Sequence, residues 1–150
     1  MNIIEALGFF EKQLKETDKK REIKIYRSFI SILSNLKSRG LSENQLLSIE
    51  NEIEILNLKS NPENKRKYFS KKLNAFKTYL KKEFSLISEG YYTAIGMSLG
   101  MCFGVAFGTS LGASGNSIGL ALGMLIGLVI GRAKDLEAEK QNRVLRTKIN

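Results

Sequence analysis

The chain has 150 residues, a formal net charge of +9, one cysteine, one proline and no histidine. The missing histidine removes the usual general base and the commonest nitrogen metal ligand, and a single cysteine builds neither an internal disulfide nor a thiolate metal cluster. Glu50, Glu52 and Glu54 are spaced by two, which sets no neighbours on one helix face. No catalytic constellation, metal site or cofactor emerges, and an enzyme is the reading with least support.

Charge divides the sequence. Residues 1–89 carry 18 Lys or Arg against 12 Asp or Glu, residues 132–150 carry 6 against 3, and residues 90–131 carry none of the four. The expected organisation is a basic helical domain over 1–89, an apolar hairpin over 90–131 and a basic tail over 132–150. The first ten residues are too short, too interrupted by Glu5 and too poor in leading cations to resemble a secretory signal, which places residues 1–89 in the cytosol.

In chain order, Ile3, Ile4, Leu7, Phe10 and Leu14 recur at helical spacing, and so do Ile25, Tyr26, Phe29, Ile32, Leu33 and Leu36, with Gly40 placed to cap the second helix. Ser42 and Gln45 form a capping-box pattern that opens a third helix through Leu46, Ile49, Ile53 and Leu56. Asn61 and Pro62 suit the start of a fourth, whose apolar side is Tyr68, Phe69, Leu73, Phe76, Leu80, Phe84 and Ile87. These stripes predict the core of a small bundle.

The fourth helix also holds eight cations between Glu63 and Ser88: Lys65, Arg66, Lys67, Lys71, Lys72, Lys77, Lys81 and Lys82. Two readings stand for it. At about 1 kcal/mol per cation near an anionic leaflet, Lys71, Lys72, Lys77, Lys81 and Lys82 would hold the helix on a lipid surface. Alternatively they are the solvated face of a bundle helix.

The apolar region is dominated by glycine at spacing four, in two rows: Gly96, Gly100, Gly104, Gly108, Gly112 and then Gly115, Gly119, Gly123, Gly127, Gly131. Residues 95–108 align with 118–131 at seven of fourteen positions, as in a duplicated unit. Between the copies, residues 112–117 are turn formers without bulk. Residues 91–111 make a helix of about 31 Å, enough for a hydrocarbon core of about 30 Å, while residues 118–130 reach only about 20 Å and span by recruiting turn residues or by snorkelling of Arg132 and Lys134. A re-entrant hairpin is the alternative. Basic flanks place both ends in the cytoplasm.

Each glycine in a helix costs about 0.8–1 kcal/mol relative to alanine in water. Lipid removes the competing water, and the missing side chains allow close helix approach, so the rows are helix-packing residues. A second small row, Ala94, Ser98, Cys102, Ala106 and Ser110, lies about 200° round the first hairpin helix from its glycines. One thin face then meets the hairpin partner and the other a neighbouring subunit. That arrangement predicts a homo-oligomer with Ser98, Cys102, Thr109 and Ser110 nearest its axis, where they line any pore; no charge marks a selectivity ring.

Residues 95–132 resemble bacterial glycine-zipper membrane domains, most closely small membrane proteins with repeated Ile-Gly-Met-x-Leu-Gly-Met motifs. The resemblance covers about a quarter of the chain and implies a two-helix hairpin and self-association in a bacterial inner membrane. A looser likeness joins it to the large-conductance mechanosensitive channel, whose pore helix also spaces small residues by four. This chain, in contrast, places its helical domain before the hairpin.

The expectation is therefore an all-α protein: a small cytosolic bundle followed by a two-helix transmembrane hairpin, with itself, membrane lipids and a cytosolic protein as partners. A pore-forming effector is the second reading. A peripheral basic adaptor for nucleic acid is the third, and it lacks any recognised motif.

Overall fold

The structure, a computed structural model, describes residues 1–60, 62–112 and 115–145. Among the described residues, six α-helices and two two-residue strands follow in order: α1 (Ile3–Lys15), α2 (Lys20–Ser38), α3 (Glu43–Ile55), α4 (Lys65–Phe84), β1 (Ile87–Ser88), α5 (Tyr91–Gly108), a 3-10 turn (Thr109–Leu111), α6 (Gly115–Lys140) and β2 (Val144–Leu145). The fold is all-α, as the sequence predicts. Two compact units emerge, one of Met1–Leu86 joined by Leu145, the other Ile87–Val144.

Local chemistry sets the helix ends of the first unit. The Asn2 side chain accepts the Glu5 N–H at 2.7 Å and opens α1. Both halves of the expected capping box form: Gln45 N–H donates to Ser42 Oγ at 3.4 Å, and Ser42 N–H donates to Gln45 Oε1 at 3.0 Å. Two boundaries differ from expectation. Asn64, not Asn61, caps α4 by accepting the Lys67 N–H at 3.0 Å, and Asn61 lies outside the described residues. The second helix closes on Arg39 in an extended conformation, so Gly40 supplies no left-handed cap.

The core is aromatic at its centre. Phe10 stacks on Phe29 at 4.2 Å between ring centroids and meets Phe69 edge-on at 5.8 Å; Phe69 in turn meets Tyr26 edge-on at 5.5 Å. Such pairs add about 0.5–1.5 kcal/mol each beyond the area they bury. Ile32, Leu33, Leu36, Ile49, Ile53, Phe76 and Leu80 complete it. Each comes from a stripe legible in the sequence. The Tyr26 hydroxyl is buried with no partner among the described residues; burial, and then the Glu22 carboxylate, push its pKa up to about 12, so it stays protonated. Glu22 is itself buried and accepts the Thr17 hydroxyl at 2.9 Å.

Gly8 sits inside α1 with nothing within 4 Å of where a Cβ would stand. Gly8→Ala therefore stabilises the first unit by about 0.8–1 kcal/mol through helix propensity alone. Thermal melting of the full chain reads this as a raised midpoint; a lowered one would mean a contact at Gly8 that the fold does not show.

Helix α4 stops at Phe84, with Ser85 in the left-handed region at φ 55°. Ile87, expected on the α4 stripe, instead enters β1, where its N–H donates to the Arg143 carbonyl at 2.9 Å.

Candidate membrane hairpin

Helices α5 and α6 are long and apolar enough to cross a membrane, and only 11% of the most apolar window of each is buried. Apolar bulk faces outward along both: Leu99, Phe103 and Phe107 on α5, and Leu122, Leu125, Ile126, Val129 and Ile130 on α6, are exposed.

The glycine rows hold the pair together by facing each other. A Cβ on Gly96 would strike the Gly127 carbonyl oxygen, one on Gly100 that of Gly123, one on Gly104 that of Gly119, and one on Gly108 that of Gly115. The reverse holds from α6, where Gly119, Gly123 and Gly127 would strike the carbonyls of Gly104, Gly100 and Gly96, and Gly131 that of Tyr92. Backbone thus lies on backbone at every rung. Gly112 has a different reason: open space surrounds it, and its φ of 83° is what requires glycine. Its carbonyl accepts the Gly115 N–H at 2.9 Å where the chain turns. Ala113 and Ser114, read as turn residues, lie outside the described residues.

The second hairpin helix is longer than expected. Residues 118–130 predict about 20 Å, but α6 has 26 residues and rises about 39 Å. Residues 132–140, expected to open a separate basic tail, continue α6 instead. The apolar stretch set the expected length, whereas the Arg, Lys, Glu, Leu and Ala that follow are good helix formers and carry the helix onward. Conversely, α5 ends at Gly108, and Thr109 and Ser110 lie in the 3-10 turn.

One residue beyond the glycines was not legible as part of the site. Asp135 of α6 is 3% exposed, and its two carboxylate oxygens accept the Tyr92 and Thr93 N–H groups at 2.9 Å each and the Thr93 hydroxyl at 2.6 Å. Gly90, at the N-cap of α5 with φ 73°, has no side chain to cap that helix. Asp135 supplies the cap from the partner helix. The signal was present: Asp135 is the next spacing-four position after Gly131.

The second small row stays uncovered among the described residues. Ala94, Ser98, Cys102, Ala106 and Ser110 are all exposed on α5 and the turn. The hydroxyls of Ser98 and Thr109 donate locally to carbonyls of α5, that of Ser98 to Ala94 at 2.9 Å and that of Thr109, from the turn, to Ala106 at 2.7 Å. A groove of about 520 Å3 runs along one side of the glycine seam, walled by Leu99, Phe103 and Phe107 from α5 and by Ile118, Leu122, Ile126 and Ile130 from α6.

In the first unit the α4 cations differ in exposure. Phe69, Leu73, Phe76 and Leu80 turn inward; Lys71, Lys81 and Lys82 are exposed, whereas Lys72 and Lys77 are half-buried. The Lys72 ammonium lies 5.2 Å from the Tyr68 ring centroid, and burial lowers the pKa of Lys77. The apolar stripe is spent on the core, so α4 can meet an anionic surface only through its charges.

No protein-family model, curated protein or solved structure matches the chain.

Proposed function

We propose that the chain is a small integral membrane protein whose α5–α6 hairpin spans the bacterial inner membrane with both ends in the cytoplasm, and which homo-oligomerises through the small face of α5. The first unit is its cytosolic docking or sensing module. The observation that carries this reading is the outward apolar surface of a hairpin whose own packing is complete: Phe103, Phe107, Leu125 and Val129 are 59% or more exposed while the glycines behind them are paired. Water would penalise that surface at about 25 cal/mol per Å2, and lipid would not.

Two thin faces on α5 separate two tasks. The glycine face is used within the chain, and Ala94, Ser98, Cys102 and Ala106 remain to admit a second backbone closely. Close packing accounts for this row without a conducting pore, since the Ser98 and Thr109 hydroxyls are already bonded locally. A pore-forming effector is the second reading, and dye release from vesicles separates the two.

Cys102 stands at the middle of the small face, exposed and unpaired. Mild oxidation of membranes is expected to yield a disulfide-linked dimer that disappears in Cys102→Ser, and Ala106→Trp is expected to suppress it while leaving the hairpin intact. Release of the protein by alkaline carbonate, or a dimer insensitive to Ala106→Trp, would refute the reading.

A further inference from the structure

We infer that the groove beside the glycine seam holds one acyl chain of an anionic phospholipid, with the lipid phosphate at Lys134. This rests on the membrane-spanning reading of the hairpin.

The groove is floored by glycine backbone whose polar groups are engaged in the helices, and its walls are Leu, Phe and Ile, so its occupant is hydrocarbon. From Gly96 to Gly108 the floor extends about 18 Å, close to the roughly 15 Å depth of one hydrocarbon leaflet.

Charge fixes which lipid and which way round. The line of contact follows every fourth residue of α6, from Gly115 through Gly131 to Asp135, where Asp135 meets Tyr92 and Thr93. The wall one residue earlier follows the same interval, Ile118, Leu122, Ile126 and Ile130, and its next member is Lys134. The apolar wall therefore ends on an ammonium. Lys134 is exposed, and its bond to Glu137 at 2.9 Å is a surface pair that leaves further N–H donors open. Under the proposed topology this end of the groove lies at the cytoplasmic leaflet, where anionic lipid collects.

The test is photolabelling of the full chain, reconstituted in phosphatidylcholine vesicles, with a phosphatidylglycerol that carries a diazirine midway along one acyl chain. Adducts are expected to concentrate on Phe103, Leu122 and Ile126 over the outward-facing Leu125 and Val129, and Ile126→Trp is expected to displace them. Lys134→Gln, which touches no packing, lowers the preference for the phosphatidylglycerol probe over its phosphatidylcholine counterpart about fivefold, the factor that one cation near an anionic surface contributes. Even labelling round both helices, or an unchanged preference in Lys134→Gln, overturns the proposal. So do cross-links from the groove to a second copy of the chain, which would then be the occupant. Carbonate extraction of the same vesicles keeps the failures apart: release sinks the membrane reading and the groove with it, whereas a retained protein with even labelling sinks the groove alone.

Discussion

Gly123→Leu is expected to pull α5 and α6 apart along their whole length. A Cβ at this position would meet the Gly100 carbonyl oxygen head-on, with the Gly104 Cα at 2.8 Å and the Gly100 carbonyl carbon at 3.0 Å. Carbon atoms rest at roughly 3.5–4.0 Å, and the obstacle is backbone rather than the flexible end of a side chain, so the helices must separate. Separation at one rung loosens the others, because Gly96 and Gly104 press on Gly127 and Gly119 with equally little room. Even Gly123→Ala is expected to destabilise the hairpin by about 1–3 kcal/mol, the usual range for overpacking, and the gain of about 0.8–1 kcal/mol in helix propensity does not offset it. Spin labels at the exposed positions Leu99 and Ile130 read the outcome as a longer, broader distance distribution in lipid. An unchanged distribution would show that the rows do not hold the pair. Because the glycine face is internal to the chain, oligomer loss in the same variant is secondary, whereas Ala106→Trp should remove the oligomer without moving the labels.

The seam was legible because it is written as an absence. A residue with no side chain every fourth position can only serve close approach, and two such rows joined by a short turn have one simple way to meet, which Gly96 to Gly127 and Gly108 to Gly115 realise. The core of the first unit was legible for the complementary reason, since Phe10, Phe29 and Phe76 mark the inward face of their helices by bulk. Ends were harder to read. Ser85 adopts a left-handed conformation that its identity does not announce, and α6 runs through charged residues that hydropathy counts as tail. The small row of α5 was visible as a pattern, and the fold leaves it exposed, free for the second copy of the chain that the proposed function seats there.

Asp135 shows why charge alone misleads at the end of an apolar segment. As part of a basic tail it reads as a solvated acid, yet in the fold it caps a helix that begins 44 residues earlier at Tyr91. A helix N-terminus presents unsatisfied N–H groups and a partial positive charge, and an aspartate answers both. Asp135→Ala removes an acceptor shared by the Tyr92 N–H, the Thr93 N–H and the Thr93 hydroxyl. Losing a cap costs about 0.5–2 kcal/mol, and stranding donors near the apolar boundary adds about 1–3 kcal/mol, so a loss at the upper end of these ranges is expected. Asp135→Asn keeps one carbonyl acceptor and should fall between the two. Hydrogen exchange in lipid or detergent provides the site-specific check: the amides of Tyr92 and Thr93 should lose protection in Asp135→Ala while those around Gly104 keep it. A double-mutant cycle with Thr93→Val should reveal coupling, since both changes delete the same 2.6 Å bond. Additive effects, with protection at Tyr92 unchanged, would mean that Asp135 is merely buried and that the first turn of α5 is capped by other means.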